Sequence, residues 1–162
     1  HKKCTSFLSD MLPGTSFHRV LRDQAEVVPG ATTVKLVEDS KIKRVILCSG
    51  KVYFDLMEER EKRNENRIQI LRLEQLYPFP ENVLAQELNR FPKADLVWCQ
   101  EEPQNQGAWT LVRSRIEDTV AKLGGKASPR YVGRPESAST AAGLMKQHNA
   151  ELAAFLNDAL TL

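Results

Sequence analysis

Short apolar runs alternate with longer amphipathic stretches from Lys43 to the end of the chain. The apolar runs have the length and composition of buried strands, and they cover residues 44–50, 67–73, 96–99 and 130–133. Apolar residues recur at helical spacing in the stretches between and after them, which predicts helices near 53–60, 84–91, 109–123 and 140–159. Strands that alternate with helices indicate an α/β fold whose mostly parallel sheet has helices on both faces.

The first forty residues lack this alternation. Residues 17–21 and 33–37 look extended and are separated by Val28-Pro29-Gly30. We expect one of the two to add an antiparallel edge strand to the sheet. Residues 1–40 are therefore interpreted as a lead-in segment and residues 41–162 as an α/β domain, with both belonging to one structural domain.

Composition and charge narrow the class of protein. The 162 residues are 41% hydrophobic, which is enough for a core without disulfides. The 23 basic and 21 acidic residues leave a net charge of +2, which argues against a nucleic-acid binder. No window reaches the roughly 18 apolar residues of a membrane span. Three widely spaced cysteines and no secretory signal favour a cytoplasmic location. Because the chain begins at His1, we expect a piece of a longer polypeptide.

Lys51 stands at the predicted start of a helix, where the helix dipole disfavours a cation. An anionic partner is therefore expected, either a ligand phosphate or a carboxylate of the chain. An ion pair within the chain is the favoured interpretation, with three candidate partners: Glu74, Glu101 and Glu102.

The most unusual stretch runs from Gln100 to Trp109, where polar side chains, a proline and a glycine separate a strand from a helix. Adjacent residues of an extended segment point to opposite faces, so Glu101 and Glu102 form a poor catalytic pair. One of them is expected to pair with a base, and the other to hold the loop or contact a partner chain. The candidate interface or cleft residues are Glu101, Glu102, Gln104, Asn105, Gln106 and Trp109.

No self-sufficient active site is visible in the sequence. Cys48 and Cys99 end equivalent strands and are interpreted as neighbouring, buried, inert thiols. His148 is expected to pack on or beside the apolar stripe of the last helix. No zinc spacing, nucleophile motif or phosphate loop occurs, so neither a metal site nor a catalytic residue is predicted.

Several long blocks resemble the C-terminal end of the thiamine-dependent first component of 2-oxoglutarate dehydrogenases, in a pattern that looks bacterial. The blocks are residues 45–56, 72–80, 98–109 and 130–143, and Gly14-Thr15-Ser16-Phe17 resembles the family's lead-in. The resemblance covers nearly the whole chain and is weakest between Asp23 and Asp39.

This resemblance implies the fold of the transketolase C-terminal domain, a three-layer α/β/α unit with an antiparallel edge strand. It also implies an oxidoreductase parent that acts in the citric acid cycle as a dimer, with thiamine diphosphate and magnesium. Such a parent decarboxylates 2-oxoglutarate and succinylates the lipoyl group of an acyltransferase, which works with a dihydrolipoyl dehydrogenase. The family's cofactor motif begins Gly-Asp-Gly, and no glycine here is followed by Asp. We therefore expect the fragment to be inactive and to bind no cofactor.

The resemblance thus implies a domain for dimer contact, for shaping the active-site cleft and for regulation by nucleotides or acetyl-CoA. The cations nearest the predicted strand ends are Arg44, Lys51 and Arg134, which are the candidate effector contacts. Arg44 begins its strand, so the three are not expected to share one site. Two alternatives stay open: a freestanding anion- or nucleotide-binding module with a phosphate site at Gly50-Lys51, and the same domain of a sister 2-oxo acid dehydrogenase.

Overall fold

Within residues 3–125 and 128–162, which the computed structural model describes, one sheet contains five strands. They are β1 (Val20–Leu21), β2 (Arg44–Cys48), β3 (Ile68–Leu73), β4 (Asp95–Pro103) and β5 (Arg130–Arg134). Their spatial order is β1-β3-β2-β4-β5. The pairs β2–β3, β2–β4 and β4–β5 are parallel, whereas β1 is antiparallel to β3. The mostly parallel sheet with an antiparallel edge strand is therefore confirmed.

Helices cover both faces of this sheet. They are α1 (Gln24–Val27), α2 (Val52–Arg63), α3 (Glu81–Leu88), α4 (Trp109–Lys122) and α5 (Met145–Leu160). Side chains of α2 and α5 pack on one face with Ile46, Cys48 and Cys99 of the sheet. Side chains of α3 and α4 pack on the other face with Val45 and Trp98. Strand β2 is buried along its whole length and is apolar from Val45 to Cys48, because its successive residues point to opposite faces and helices cover both. The result is a three-layer α/β/α arrangement.

The expected edge strand comes from the first of the two extended pieces. Val20 pairs with Leu73 and Leu21 pairs with Arg72, at the outer edge of β3. Residues 33–37 form no strand, although the Val37 N–H donates to the carbonyl of Asn66 at 3.0 Å.

Several element boundaries differ from the sequence prediction. Strand β4 continues through Gln100 to Pro103, so part of the expected loop is strand. Helix α5 begins at Met145 rather than near residue 140, and Leu144, which precedes it, is exposed. Leu123 does not continue the buried stripe of α4: it lies after the helix and is exposed.

A buried ion pair joins the lead-in segment to the core. Asp23 and Arg60 are both fully buried, and two Arg60 nitrogens donate to the Asp23 carboxylate at 2.5 and 2.9 Å. The same carboxylate caps the start of α1 by accepting the N–H of Ala25. It also accepts the N–H of Ile70 in β3. Arg60 also donates to the carbonyl of Ile68 at 2.9 Å. One carboxylate therefore connects α1, α2 and β3.

Surface charges attach the lead-in segment at a second place. Arg90, just after α3, donates to Glu26 and Asp39 of the lead-in segment and to Glu87 of α3, at 2.8–2.9 Å. Arg22 also bonds to Glu87, at 2.7 Å. A boundary at residue 40 stays a prediction, and these contacts cross it.

A third attachment involves Glu61 of α2. Its carboxylate accepts the backbone N–H of Thr33 at 2.7 Å and the ammonium of Lys3 at 3.1 Å. The hydrogen bond from Thr33 is the main reason that the pKa of Glu61 falls to about 2. The carboxylate therefore keeps its charge, and this contact, at neutral pH.

We predict that Asp23→Ala lowers the free energy of unfolding by about 3–5 kcal/mol, because it leaves the buried Arg60 charge without its partner. Urea unfolding of the 162-residue chain measures this loss. The matched control is Glu38→Ala, which removes the exposed pair with Lys41 and should cost less than about 1 kcal/mol. Similar losses for the two variants would show that the buried pair has no special role.

Candidate functional site at the carboxyl edge of the sheet

The carboxyl ends of the four parallel strands meet at one edge of the sheet, which is where ligands collect in open α/β folds. Lys51 follows β2 at this edge, Glu101 lies near the end of β4, and Arg134 ends β5. Arg44 starts β2 and therefore lies at the opposite edge. The structure thus separates Arg44 from the other two cations, as the sequence indicated.

Lys51 has its anionic partners within the chain. Its ammonium donates to Asp55 at 2.7 Å and to Glu101 at 2.8 Å. Partial burial lowers the pKa of Lys51, but the hydrogen bonds to these carboxylates outweigh it and raise the pKa overall. The expected ion pair is confirmed for Glu101. The partner that sequence reasoning missed is Asp55, although its position four residues along the same helix was a readable signal.

Arg44 is buried and fastens the end of α5. Its guanidinium donates to Asp95 at 2.8 Å and to the carbonyls of Ala159 and Thr161 at 2.8 and 2.7 Å. The last carbonyls of a helix have no partner within the helix, and a cation satisfies both their hydrogen bonding and the helix dipole. Arg44 therefore holds the final helix of the chain at the amino edge of the sheet.

Arg134 is nearly buried where β5 ends. It donates to Glu151 of α5 at 2.6 Å and lies 3.5 Å from the carbonyl of Thr140. Hydrogen bonds from Gln147 and from Arg134 lower the pKa of Glu151, so this carboxylate is charged at neutral pH. Arg134 therefore connects β5, α5 and the loop between them. Contact of Arg44, Lys51 or Arg134 with an effector stays a prediction.

Gln100 organises the polar stretch after the core of β4. Its side chain is buried, and its Oε1 accepts the indole N–H of Trp98 at 2.9 Å and the backbone N–H of Trp109 at 3.0 Å. Its Nε2 lies 3.1 and 2.8 Å from the carbonyls of Pro103 and Gln106. One amide thereby fixes both ends of residues 104–108, which we call the β4–α4 loop. This role could not be read from the sequence, because a single glutamine after an apolar strand gives no signal of burial.

Two exposed or half-exposed amides of the β4–α4 loop hold residues 135–144, the β5–α5 loop. Asn105 exchanges hydrogen bonds with the backbone of Ser137, donating and accepting at 3.0 Å. The Gln106 amide donates to the carbonyls of Ser137 and Ser139 at 2.9 and 3.3 Å. The two loops therefore form one surface, and the polar side chains of Asn105 and Gln106 hold the loops together by hydrogen bonds.

The remaining candidate residues lie around this surface. Glu102 is exposed, and the backbone N–H of Gln104 donates to the carbonyl of Arg134 at 3.1 Å. Trp109 is buried, with its ring 5.5 Å from that of Tyr131. The Tyr131 hydroxyl lies 3.0 Å from the carbonyl of Glu102 and 2.7 Å from that of Arg134. Of the two adjacent carboxylates, Glu101 bonds to Lys51, whereas Glu102 is exposed.

The cysteines behave as the sequence suggested. Cys48 and Cys99 are register partners on adjacent strands, and both are fully buried. Burial raises the pKa of both thiols, which keeps them protonated and unreactive at neutral pH. His148 is half-buried on α5, His18 is exposed, and His1 lies outside the described residues.

A cavity of about 600 Å³ lies between the β3–α3 connection and α4. Its lining includes Tyr77, Phe79, Leu111, Arg115 and Lys122, none of which was a candidate site residue. Residues 3–125 and 128–162 contain no group of three His, Cys, Asp or Glu that could hold a metal ion. Over the same residues, no helix is long and apolar enough to cross a membrane.

We predict that Gly107→Ala destabilises the chain by about 1–3 kcal/mol more than Gly30→Ala. Both glycines have positive φ, so both variants share the backbone strain. A Cβ at Gly107 would lie 2.9 Å from the Glu102 Cβ and 3.0 Å from the Gln100 amide, whereas a Cβ at Gly30 meets nothing within 4 Å. Urea unfolding measures the difference, and equal losses would show that the packing of the β4–α4 loop is not tight.

Comparison with known proteins places this architecture in a family. The family described as 2-oxoglutarate dehydrogenase C-terminal matches residues 5–160. The 2-oxoglutarate dehydrogenase E1 components of Brucella anthropi, Brucella ovis and Brucella canis are each 52% identical to the chain over 161 residues. These matches cover 99% of this chain but 16% of each relative. The chain therefore belongs to the 2-oxoglutarate dehydrogenase C-terminal family.

Proposed function

We propose that this chain is the C-terminal part of the E1 component of a 2-oxoglutarate dehydrogenase. The carrying observation is 52% identity over 99% of the chain to E1 components of which it spans only 16%. The proposed parent is a cytoplasmic, dimeric oxidoreductase of the citric acid cycle. It decarboxylates 2-oxoglutarate and passes the succinyl group to the lipoyl group of the acyltransferase component. After the acyltransferase has passed the succinyl group on, dihydrolipoyl dehydrogenase reoxidises the dihydrolipoyl group.

The parent's thiamine diphosphate and magnesium do not fit the residues of this chain. None of the eight glycines precedes an aspartate, so the diphosphate motif of the family is missing. The described residues also offer no cluster of metal ligands. We therefore assign the cofactor site to other parts of the parent, and no step of the reaction to residues of this chain.

The proposed work of the domain is to shape the cleft or the dimer interface of the parent. Buried Gln100 and the amides of Asn105 and Gln106 support this role, because they hold two loops in one fixed surface at the carboxyl edge. Polar loops in a rigid frame more often serve interfaces or ligands than packing.

The alternative of a freestanding phosphate-binding module has less support from the structure. Its proposed site at Gly50-Lys51 requires a cation available to a phosphate. The Lys51 ammonium is instead bonded to two carboxylates, Asp55 and Glu101, which would repel an anion.

The test uses the complete polypeptide that contains this chain, assayed for decarboxylation of 2-oxoglutarate with thiamine diphosphate and magnesium. We expect activity from the complete polypeptide and none from the 162-residue chain. An inactive complete polypeptide, or one that prefers a different 2-oxo acid, would overturn the proposed function.

In that complete enzyme, Asn105→Ala should lower kcat/KM or weaken dimerisation by about tenfold, which corresponds to about 1.4 kcal/mol. The reason is that the variant removes both hydrogen bonds between Asn105 and the Ser137 backbone, so that of these two side chains only Gln106 still holds the β5–α5 loop. Asn149→Ala is the matched control, since it removes an exposed amide from α5 outside both loops. Unchanged turnover and dimerisation in Asn105→Ala would show that the loop surface is only a connection.

A further inference from the structure

Five large apolar side chains are exposed in a short stretch before β1. Residues 7–17, which we call the apolar segment, contain them. Their exposed fractions are 58% for Phe7, 85% for Leu8, 71% for Met11, 59% for Leu12 and 68% for Phe17. Single exposed apolar residues are ordinary, whereas five large ones within eleven residues suggest a surface for contact with another body.

The apolar segment has local order of its own. Residues Leu8–Met11 form a 3-10 helix, and the Asp10 carboxylate accepts the N–H of Phe7 at 3.0 Å. The Thr15 hydroxyl donates to the carbonyl of Leu12 at 2.8 Å. Short-range hydrogen bonds therefore shape the segment, while no residue of its helix is buried.

Both flanks of the apolar segment are attached to the fold. On one side Lys3 bonds to Glu61 of α2. On the other side Val20 enters the sheet opposite Leu73, and Phe17 lines a cavity of about 450 Å³ beside Gln75. The exposed side chains are thus carried on a segment fixed at each end, which differs from a free tail.

We propose that the preceding part of the same polypeptide packs on the apolar segment. This inference rests on the proposed function, in which the chain is the C-terminal part of a longer E1 component. The matched region is only 16% of each relative, so a large body of chain precedes it there. A body joined covalently so close to the segment has a high effective concentration, which favours it over a second copy of this chain.

The first test places the photo-cross-linker p-benzoylphenylalanine at position 8 of the complete polypeptide. We expect irradiation to join this position to residues that precede the chain, in a product with the mass of one polypeptide. The same group at position 93, an exposed polar site, is the control for random cross-linking. A product of twice the mass would identify a second copy as the occupant. That result, or no cross-link beyond the control level, would overturn the inference.

The second test compares one double variant in two settings. Leu8→Ser with Met11→Ser should lower the Tm of the complete polypeptide by several degrees, but change that of the 162-residue chain by no more than about one degree. Leu123→Ser, which also changes an exposed leucine, should have little effect in either setting. Equal effects of the double variant in both settings would contradict the inference.

The decarboxylation assay on the same preparation separates the two proposals. A complete polypeptide that is active but gives no specific cross-link overturns only the packing inference. A polypeptide without 2-oxoglutarate activity overturns the proposed function itself.

Discussion

The ion pair between Asp23 and Arg60 is the one fully buried contact among the three that attach the first forty residues to the described fold. Both charges are fully buried, so each needs the other, and the Asp23 carboxylate also binds backbone N–H groups of α1 and β3. Helix α2 therefore buries Arg60 only when the lead-in segment is docked. The same docking sets β1 beside β3 and fixes one flank of the apolar segment. A contact deep in the core thereby helps to fix the position of the exposed apolar segment.

Polar groups also bond to one another at the carboxyl edge of the sheet, which lies opposite the edge that carries Arg44. Polar residues at the carboxyl edge of α/β sheets usually suggest a ligand, yet here most of them form hydrogen bonds within the chain. Lys51 bonds to Asp55 and Glu101, Gln100 fixes the β4–α4 loop, and Asn105 holds the neighbouring loop. Such an edge is suited to present a defined shape to adjoining protein. This agrees with the proposed role of the domain in shaping the cleft or the dimer interface.

Hydrophobic periodicity predicted the parallel strands and the helices on both faces of the sheet, because burial on a face repeats at the spacing of the element. The antiparallel edge strand was expected on other grounds, from the extended look of residues 17–21 and 33–37 and from the family resemblance. Periodicity failed where side chains bond to distant backbone. Gln100 bonds to the backbone of Pro103 and Gln106 where β4 continues past its apolar part, and Gln106 bonds to the backbone of Ser137 before α5. The partnership of Asp23 with Arg60 was equally unreadable, since the two residues are 37 positions apart and neither lies in a motif. The pair of Lys51 and Glu101 could be anticipated, because both follow strands that end at one edge.

The central claim is that this chain is a folded structural domain without the cofactor site of its parent. Calorimetric titration of the 162-residue chain with thiamine diphosphate and magnesium tests it most directly. The account predicts no heat of binding beyond that of dilution, because the chain lacks the diphosphate motif and a metal-ligand cluster among its described residues. Saturable binding with a submicromolar Kd would contradict it.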